Sequence, residues 1–373
     1  MNRTPTIVID SGSFLTRVGL SGRDVPEETL RTIVGRPKEG ARAEPDTIFV
    51  GEEAYENRAT LALSYPLDKY SITDFDAMNS MWEYCFVDIL GCDSMIGVPV
   101  MLTDGPVDEE LKTKNRAKMA EAMFETHNAP SFYVALQQPL ALQSLEKTTG
   151  LVLDIGDSMV SSVPVVEGVV VTSGIVTMDV ASGRHVTDYL TKLLNEQDGV
   201  SITDRETITA IKEKHSYIAW DYEGEFNLSS CQAEDYTLPG GQVISLGSER
   251  FRCGEPLFRS SLLGTETDKG IHKMAHESIQ QCDESARGAL YENIVLAGGS
   301  SCISHLPERL KKEIKALAGA ETKVKVLTAP TRAWSAWLGG SLFASEENFP
   351  ELAVSKSEYQ EHGVNIIHAK CTN

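Results

Sequence analysis

The sequence contains no apolar run long enough to span a bilayer. Its opening residues, Met1-Asn-Arg-Thr-Pro-Thr6, lack the apolar core of a signal peptide. The seven cysteines are odd in number, scattered, and never spaced Cys-x-x-Cys, so they form neither a zinc-ligand pattern nor a disulfide framework. Basic charge is scarce: 34 Lys and Arg stand against 54 Asp and Glu, for a net charge of -20. That balance argues against a nucleic-acid footprint and against attraction to anionic membranes. Low-complexity tracts are absent, and a 41% hydrophobic share is that of an ordinary globular chain. These absences lead us to expect reduced thiols and an intracellular setting, cytoplasmic or nuclear.

What the sequence does have is a hairpin that occurs twice. The first copy is Thr6-Ile-Val-Ile-Asp-Ser-Gly-Ser13 and the second is Gly150-Leu-Val-Leu-Asp-Ile-Gly-Asp-Ser158. Each is an apolar strand that ends in an aspartate and breaks into a Gly/Ser turn. A third apolar strand, Asn293-Ile-Val-Leu-Ala-Gly-Gly-Ser-Ser301, also runs into small residues. Glycine lets backbone N–H groups approach an anion, and turns of this kind form anion-binding concavities. Two such turns, each with a carboxylate, suit a polyphosphate with a divalent cation. One Asp-x-Gly is common; a matched pair is specific.

At 373 residues about two domains are expected. Apolar strands and amphipathic helices alternate throughout, so the expected class is α/β. Strands are expected over residues 7–10, 17–20, 96–102, 132–136, 151–154 and 160–166, and a loop over 36–46. Helices are expected over 112–126, 140–145, 186–194, 204–213 and 335–344. The sequence Thr203-Asp-Arg-Glu206 looks like the cap that opens the fourth of these.

From about Ile7 to Cys371 the chain resembles actin and the actin-related proteins. The resemblance rests on the two hairpins and on collinear stretches such as Ile33-Val-Gly-Arg-Pro37, Val50-Gly-Glu-Glu-Ala54, Tyr133-Val-Ala-Leu-Gln137, Ile211-Lys-Glu-Lys214 and Glu249-Arg-Phe-Arg-Cys253. It implies an actin-like ATPase fold of two pseudo-repeated α/β lobes, with a nucleotide (ATP or ADP) and Mg²⁺ in a cleft. The implied first lobe is 1–144 plus 335–373, with 32–65 as its outer subdomain. The second is 145–334, with 181–266 as its outer subdomain.

Residue by residue, the resemblance makes Asp10 and Asp154 the carboxylates that hold Mg²⁺ through water, as that ion's tight hydration favours. Ser13, Phe14, Leu15 and Arg17 fall in the first phosphate turn, and Gly156, Asp157, Ser158 and Met159 in the second. Phe14 and Ser158 replace glycines, and Arg17 replaces a lysine while adding a fork for phosphate oxygens. A side chain at position 14 is expected to limit the turn's geometry. Gly183, Lys212, Glu213, Gly298, Gly299 and Ile303 fall at the nucleoside end, although a Lys-Glu pair is more often a solvated helix face. Thr209, Ile303 and Ala333 replace an arginine, a tyrosine and a lysine of actins, so adenine selectivity is expected to weaken. Gln137 matches the residue that positions the attacking water. Ser161 stands where actins carry a histidine, and serine cannot serve as a base near neutral pH. Slow or impaired hydrolysis is therefore expected, and at most a weak ATPase.

The surfaces depart as well. The stretch Lys38-Glu-Gly-Ala-Arg-Ala-Glu-Pro-Asp46 is a shorter, more charged form of an arm that actins extend to the next subunit. The loop Gly264-Thr-Glu-Thr-Asp-Lys-Gly270 is a charged version of the family's cross-strand plug. Glu146 and Glu346 edge a partner groove that keeps Leu338, Leu342 and Leu352. The expected partners are other actin-like subunits or a dedicated complex, with no direct nucleic acid and no membrane. The expected function is that of a cytoskeletal subunit. The alternative is a non-polymerising subunit of a dynein or dynactin, nucleator or chromatin-remodelling complex, with ATP as a structural ligand; cytoplasm, nucleus or cilium would suit these roles.

Overall fold

The computed structural model describes residues 4–38, 47–92, 97–228, 232–266 and 268–372. The chain divides into two compact units. One comprises Met1–Thr148, Gly168–Val170 and Trp334–Asn373; the other comprises Thr149–Glu167 and Val171–Ala333.

In the first unit the sheet is laid down by the β-branched run Ile7, Val8 and Ile9, which is buried on both faces. Such a strand belongs at the centre of a covered sheet. Strand Ile7–Ser11 pairs in parallel with Val100–Asp104, which pairs in parallel with Ser131–Leu136. On its other side it turns back antiparallel into Leu15–Leu20, which pairs with Glu28–Arg31. Strand Val354–Ser355 completes the far edge. Helix Ser335–Phe343 lies on helix Gln137–Gln143 with almost no gap. A Cβ at Gly339 would fall 1.8 Å from the carbonyl oxygen of Leu140, so glycine sets that spacing. Trp337, fully buried, donates its indole N–H to the carbonyl of Val8 at 3.1 Å.

The second unit repeats the arrangement. Strand Gly150–Ile155 pairs antiparallel with Val160–Val166 and parallel with Ile294–Ala297, which pairs with Val326–Leu327. Helices Gly183–Asn195, Arg205–His215, Ile271–Gln280 and Leu306–Ala318 contribute apolar faces to the unit's core, among them Leu190, Ile208, Ile279 and Leu310.

Several boundaries differ from the sequence reading. The strand expected over 96–102 is Val100–Asp104, and residues 93–96 lie outside the described residues. The helix expected from residue 112 starts at Glu109, capped by the Asp108 carboxylate, which accepts from the Leu111 N–H at 2.9 Å. Its last stretch, Ala122–Thr126, widens into a π-helical turn. The helix expected from 140 starts at Gln137, and that expected from 186 starts at Gly183. Asp204, not Thr203, caps helix Arg205–His215; its carboxylate accepts from the Thr207 N–H and hydroxyl at 2.9 and 2.8 Å. Arg36 and Pro37 continue strand Val34–Pro37 instead of opening a loop, and residues 39–46 lie outside the described residues. Cys231 lies outside them too, and the other six cysteines are free thiols.

Candidate functional site

The two hairpin turns are built alike. In the first, the Gly12 N–H donates to the carbonyl of Leu15 at 2.9 Å; in the second, the Gly156 N–H donates to the carbonyl of Met159 at 2.9 Å. Glycine keeps both turns uncrowded, because a Cβ would stand a tight 3.2 and 3.0 Å from those same carbonyl oxygens. Phe14 and Ser158 are not among the residues with positive φ. Both turns therefore accept a side chain there without strain, and the constraint expected at Phe14 does not arise. Its ring lies 5.4 Å from the Arg31 guanidinium. Thr32 ties the turn down, donating its hydroxyl to the Gly12 carbonyl at 2.7 Å and its N–H to the Phe14 carbonyl at 3.0 Å.

Across each hairpin the aspartate faces one residue of the returning strand: Asp10 opposite Arg17, and Asp154 opposite Ser161. Arg17 Nη1 is 3.6 Å from Asp10 Oδ2, and both groups are largely buried. Ser161 is fully buried. The register thus gives the first turn a cation beside its carboxylate and the second a neutral hydroxyl.

Asp10 is held by two donors: Thr103 Oγ1 and Gln137 Nε2 each lie 2.8 Å from Oδ1. Gln137 Nε2 also lies 3.2 Å from the Ser11 carbonyl and 3.3 Å from Thr103 Oγ1. The amide's two hydrogens are spent on this network, which leaves the side-chain oxygen to accept from a water or ligand. Gln137 is the first residue of its helix, so the strand before it and the helix after it both fix its position.

In the second unit the start of helix Gly183–Asn195 is stitched to the turn. The N–H groups of Gly183 and Arg184 donate to the carbonyls of Gly156 and Asp157, each at 2.9 Å. Ser182 Oγ lies 2.7 Å from the Asp157 carbonyl, and Arg184 Nη2 lies 3.1 Å from the Asp157 carboxylate. Lys212 reaches back from the next helix to Thr187 Oγ1 at 2.8 Å and the Gly183 carbonyl at 3.3 Å. Burial pushes its ammonium pKa below the usual lysine value. Glu213, one residue on, is exposed. Gly298, at φ +82°, comes so close to Asp154 that a Cβ would lie 2.3 Å from its Oδ1. Gly299 has open space around it, and Ile303 is buried in the unit's core.

Within the first unit, then, Asp10, Arg17 and Gln137 come together. Within the second, Asp154, Gly156, Asp157, Gly183, Lys212 and Gly298 do, around the second turn and the helix start behind it. The sequence reading missed Thr103, Thr32, Ser182, Arg184 and Thr187. Thr103 lies next to last in strand Val100–Asp104, beside strand Ile7–Ser11 that carries Asp10, whereas the expected strand stops at residue 102.

Each unit offers one carboxylate near the end of a buried strand, Asp10 in the first and Asp154 in the second, and a carboxylate is the hard oxygen donor that a hydrated magnesium ion takes. Among the described residues no group of three or more His, Cys, Asp or Glu could hold a metal. Magnesium keeps most of its waters and takes few protein carboxylates. No helix among the described residues is long and apolar enough to cross a membrane. The model of the Actin family matches residues 1–206 and 200–372, nearly the whole length. The chain belongs to the actin family.

Proposed function

We propose that the chain is an actin-like cytoskeletal subunit that binds ATP or ADP with Mg²⁺ and hydrolyses ATP slowly, in a filament or a larger assembly. The observation that carries this reading is the repeated turn, closed by the same hydrogen bond in each unit and preceded each time by an aspartate. Backbone N–H groups in a turn of this kind suit phosphate oxygens. Asp10 and Asp154 would hold Mg²⁺ through its waters, and the ion supplies charge neutralisation at the phosphates. Ser13, Phe14, Leu15 and Arg17 would grip from the first unit; Gly156, Asp157, Ser158 and Met159 would do so from the second. Gly183, Lys212, Glu213, Gly298, Gly299 and Ile303 would serve the nucleoside. Gln137, its N–H groups committed to Asp10 and its neighbours, would orient a water through its oxygen.

Slow hydrolysis follows from Ser161. Opposite Asp154 it offers one short hydroxyl, with no group that can take a proton near neutral pH. Loss of a water-positioning group costs on the order of 10²-fold in rate. Single-turnover phosphate release tests this: Ser161→His is expected to release phosphate at least about tenfold faster than the wild type. Equal rates would sink the impaired-hydrolysis reading. Purified protein that carries no nucleotide would sink the binding reading itself.

A second reading, a non-polymerising subunit of a larger complex, has specific support at two surfaces. In the loop at 264–270, Asp268 and Lys269 are tied to their own unit. The Lys269 N–H donates to Ser260 Oγ at 2.8 Å, and Asp268 accepts from the Ser261 N–H at 3.3 Å. Glu346 accepts from Gln143 Nε2 at 2.9 Å, which places a carboxylate beside Leu342. Sedimentation in Mg²⁺ and salt separates the readings: a pellet that grows with concentration favours the filament, and persistent monomer favours the complex subunit.

A further inference from the structure

Beneath the first turn the first unit has a small, partly open cavity with room for roughly one water. Its lining is mainly apolar, but Ser11, Tyr70, Trp82, Thr103 and Asp104 also reach it. Two of these contribute polar atoms that lack any partner in the protein. Ser11 Oγ and Trp82 Nε1 are both buried with no hydrogen bond, Trp82 at 1% exposure and Ser11 at 9%. A buried indole N–H or hydroxyl left unpaired costs on the order of 1–3 kcal/mol. Two such groups on one cavity wall are better explained by a shared partner than by two separate penalties.

The cavity's cover is unusual. Strands Leu67–Asp68 and Ser71–Ile72 pair through a turn made of Lys69 and Tyr70 alone. Both have positive φ, +48° and +61°, a shape that hairpins usually give to Asn-Gly. Non-glycine residues held there carry strain of about 1 kcal/mol or more each, which the surroundings must offset. The strained turn lays the Tyr70 ring on Gly105, where a Cβ would stand 2.0 Å from the ring. The strain and the glycine together place an aromatic ring over the cavity.

We propose that this cavity is a binding site for one ordered water, which accepts from Trp82 Nε1 and hydrogen-bonds Ser11 Oγ, with Tyr70 as its cover. The polar edges of Thr103 and Asp104 complete the two to four contacts that a buried water needs. The water buttresses Ser11, whose carbonyl accepts from Gln137, and it adjoins Thr103, which holds Asp10. Ser11 and Trp82 are then positioning residues for the Gln137 network. This last step rests on the proposed role of Gln137; the water site itself does not.

A double-mutant cycle tests the site. If one water joins the two groups, Ser11→Ala and Trp82→Phe each lower the folding equilibrium constant by roughly tenfold in urea denaturation, and the double variant loses little more than either single. Additive losses, or a gain in stability on removing either group, would overturn the proposal, since dry orphaned groups are better removed. A high-resolution crystal structure of the wild type needs no variant. A solvent peak within hydrogen-bonding distance of both atoms supports the site, and an empty cavity overturns it. For the positioning role, Trp82→Phe is expected to slow single-turnover phosphate release several-fold at unchanged nucleotide affinity; an unchanged rate removes that role. A wild type that releases no phosphate at all would refute the hydrolysis reading, while the cycle would still decide on the water.

Discussion

Close approach distinguishes residues that look alike in sequence. Gly298 and Gly299 are adjacent and both small, yet their surroundings differ completely. A Cβ at 298 would meet Asp154 Oδ1 at 2.3 Å and the Ile155 carbonyl at 2.6 Å, in a backbone conformation that L side chains rarely adopt. At 299 it would meet nothing within 4 Å. Gly298→Ala is therefore expected to cost roughly 2–4 kcal/mol and to push Asp154 from its place, weakening the proposed nucleotide binding. Gly299→Ala, the control, is expected to stay within about 0.5 kcal/mol of the wild type. Chemical denaturation and nucleotide titration of both variants check this, and similar effects in the two would refute it. The same logic explains Phe14: the turn's tight contact falls at Gly12, so a ring at position 14 is accommodated. The sequence shows which residue is unusual, but not which atom lies in the crowded place.

Elements set by local pattern were legible, and those set by distant partners were not. The runs Ile7-Val-Ile and Leu151-Val-Leu, each ending in Asp and a glycine turn, define strand, turn and return strand by themselves; the same residues carry the candidate phosphate site. The helices start at Gln137 and Gly183, three residues before the expected 140 and 186; the first has no side-chain cap, whereas the second has Ser182 at its N-cap, a signal the sequence does carry. The first instead follows directly from a buried strand, and the second is tethered by N–H bonds to Gly156 and Asp157. Thr103 was unreadable because its partner, Asp10, is 93 positions away. The expected helix 335–344 is rich in small residues, Ser335, Ala336, Gly339, Gly340, Ser341 and Ala344, which suit close packing. Gly339 is where that packing is tightest, and the obstructing atom is Leu140 backbone, which cannot rotate away. Gly339→Ala is expected to destabilise the first unit by about 3 kcal/mol or more, although alanine is the better helix former by about 1 kcal/mol. Thermal melts give the sign, and a stabilised variant would show that helix propensity outweighs the contact.

Across the whole molecule, each unit carries its own buried imidazole, and both are held neutral. His127 packs edge-on to Phe86 at 5.1 Å in the first unit, and His272 lies 5.7 Å from Phe258 in the second. Burial is the main cause that pulls each pKa down to about 4. Around His272 the charges are mixed: Glu313 and Asp268 favour protonation, while Lys273 and Arg309 oppose it. An unfolded histidine titrates near 6.5. Between pH 6.5 and 4 the unfolded chain therefore binds protons that the folded chain refuses, so stability falls as pH drops through that window and levels off below it. Each histidine contributes a loss on the order of 3 kcal/mol over the full window. Glu358 acts separately. Its pKa is lowered to about 2, chiefly by the Ser355 backbone N–H and then by Lys370, so its stabilisation is lost only from about pH 4.5 down to 2. A net charge of -20 complicates the raw profile, because protonating surface carboxylates relieves repulsion as the histidines destabilise. Comparing variants removes that shared background. His127→Phe and His272→Phe are each expected to retain more of their pH 7.5 stability at pH 5 than the wild type does, with the slope between pH 6.5 and 5 reduced in both. Urea midpoints across that range measure the slope, and a wild-type slope in both variants would mean that the acid sensitivity lies elsewhere.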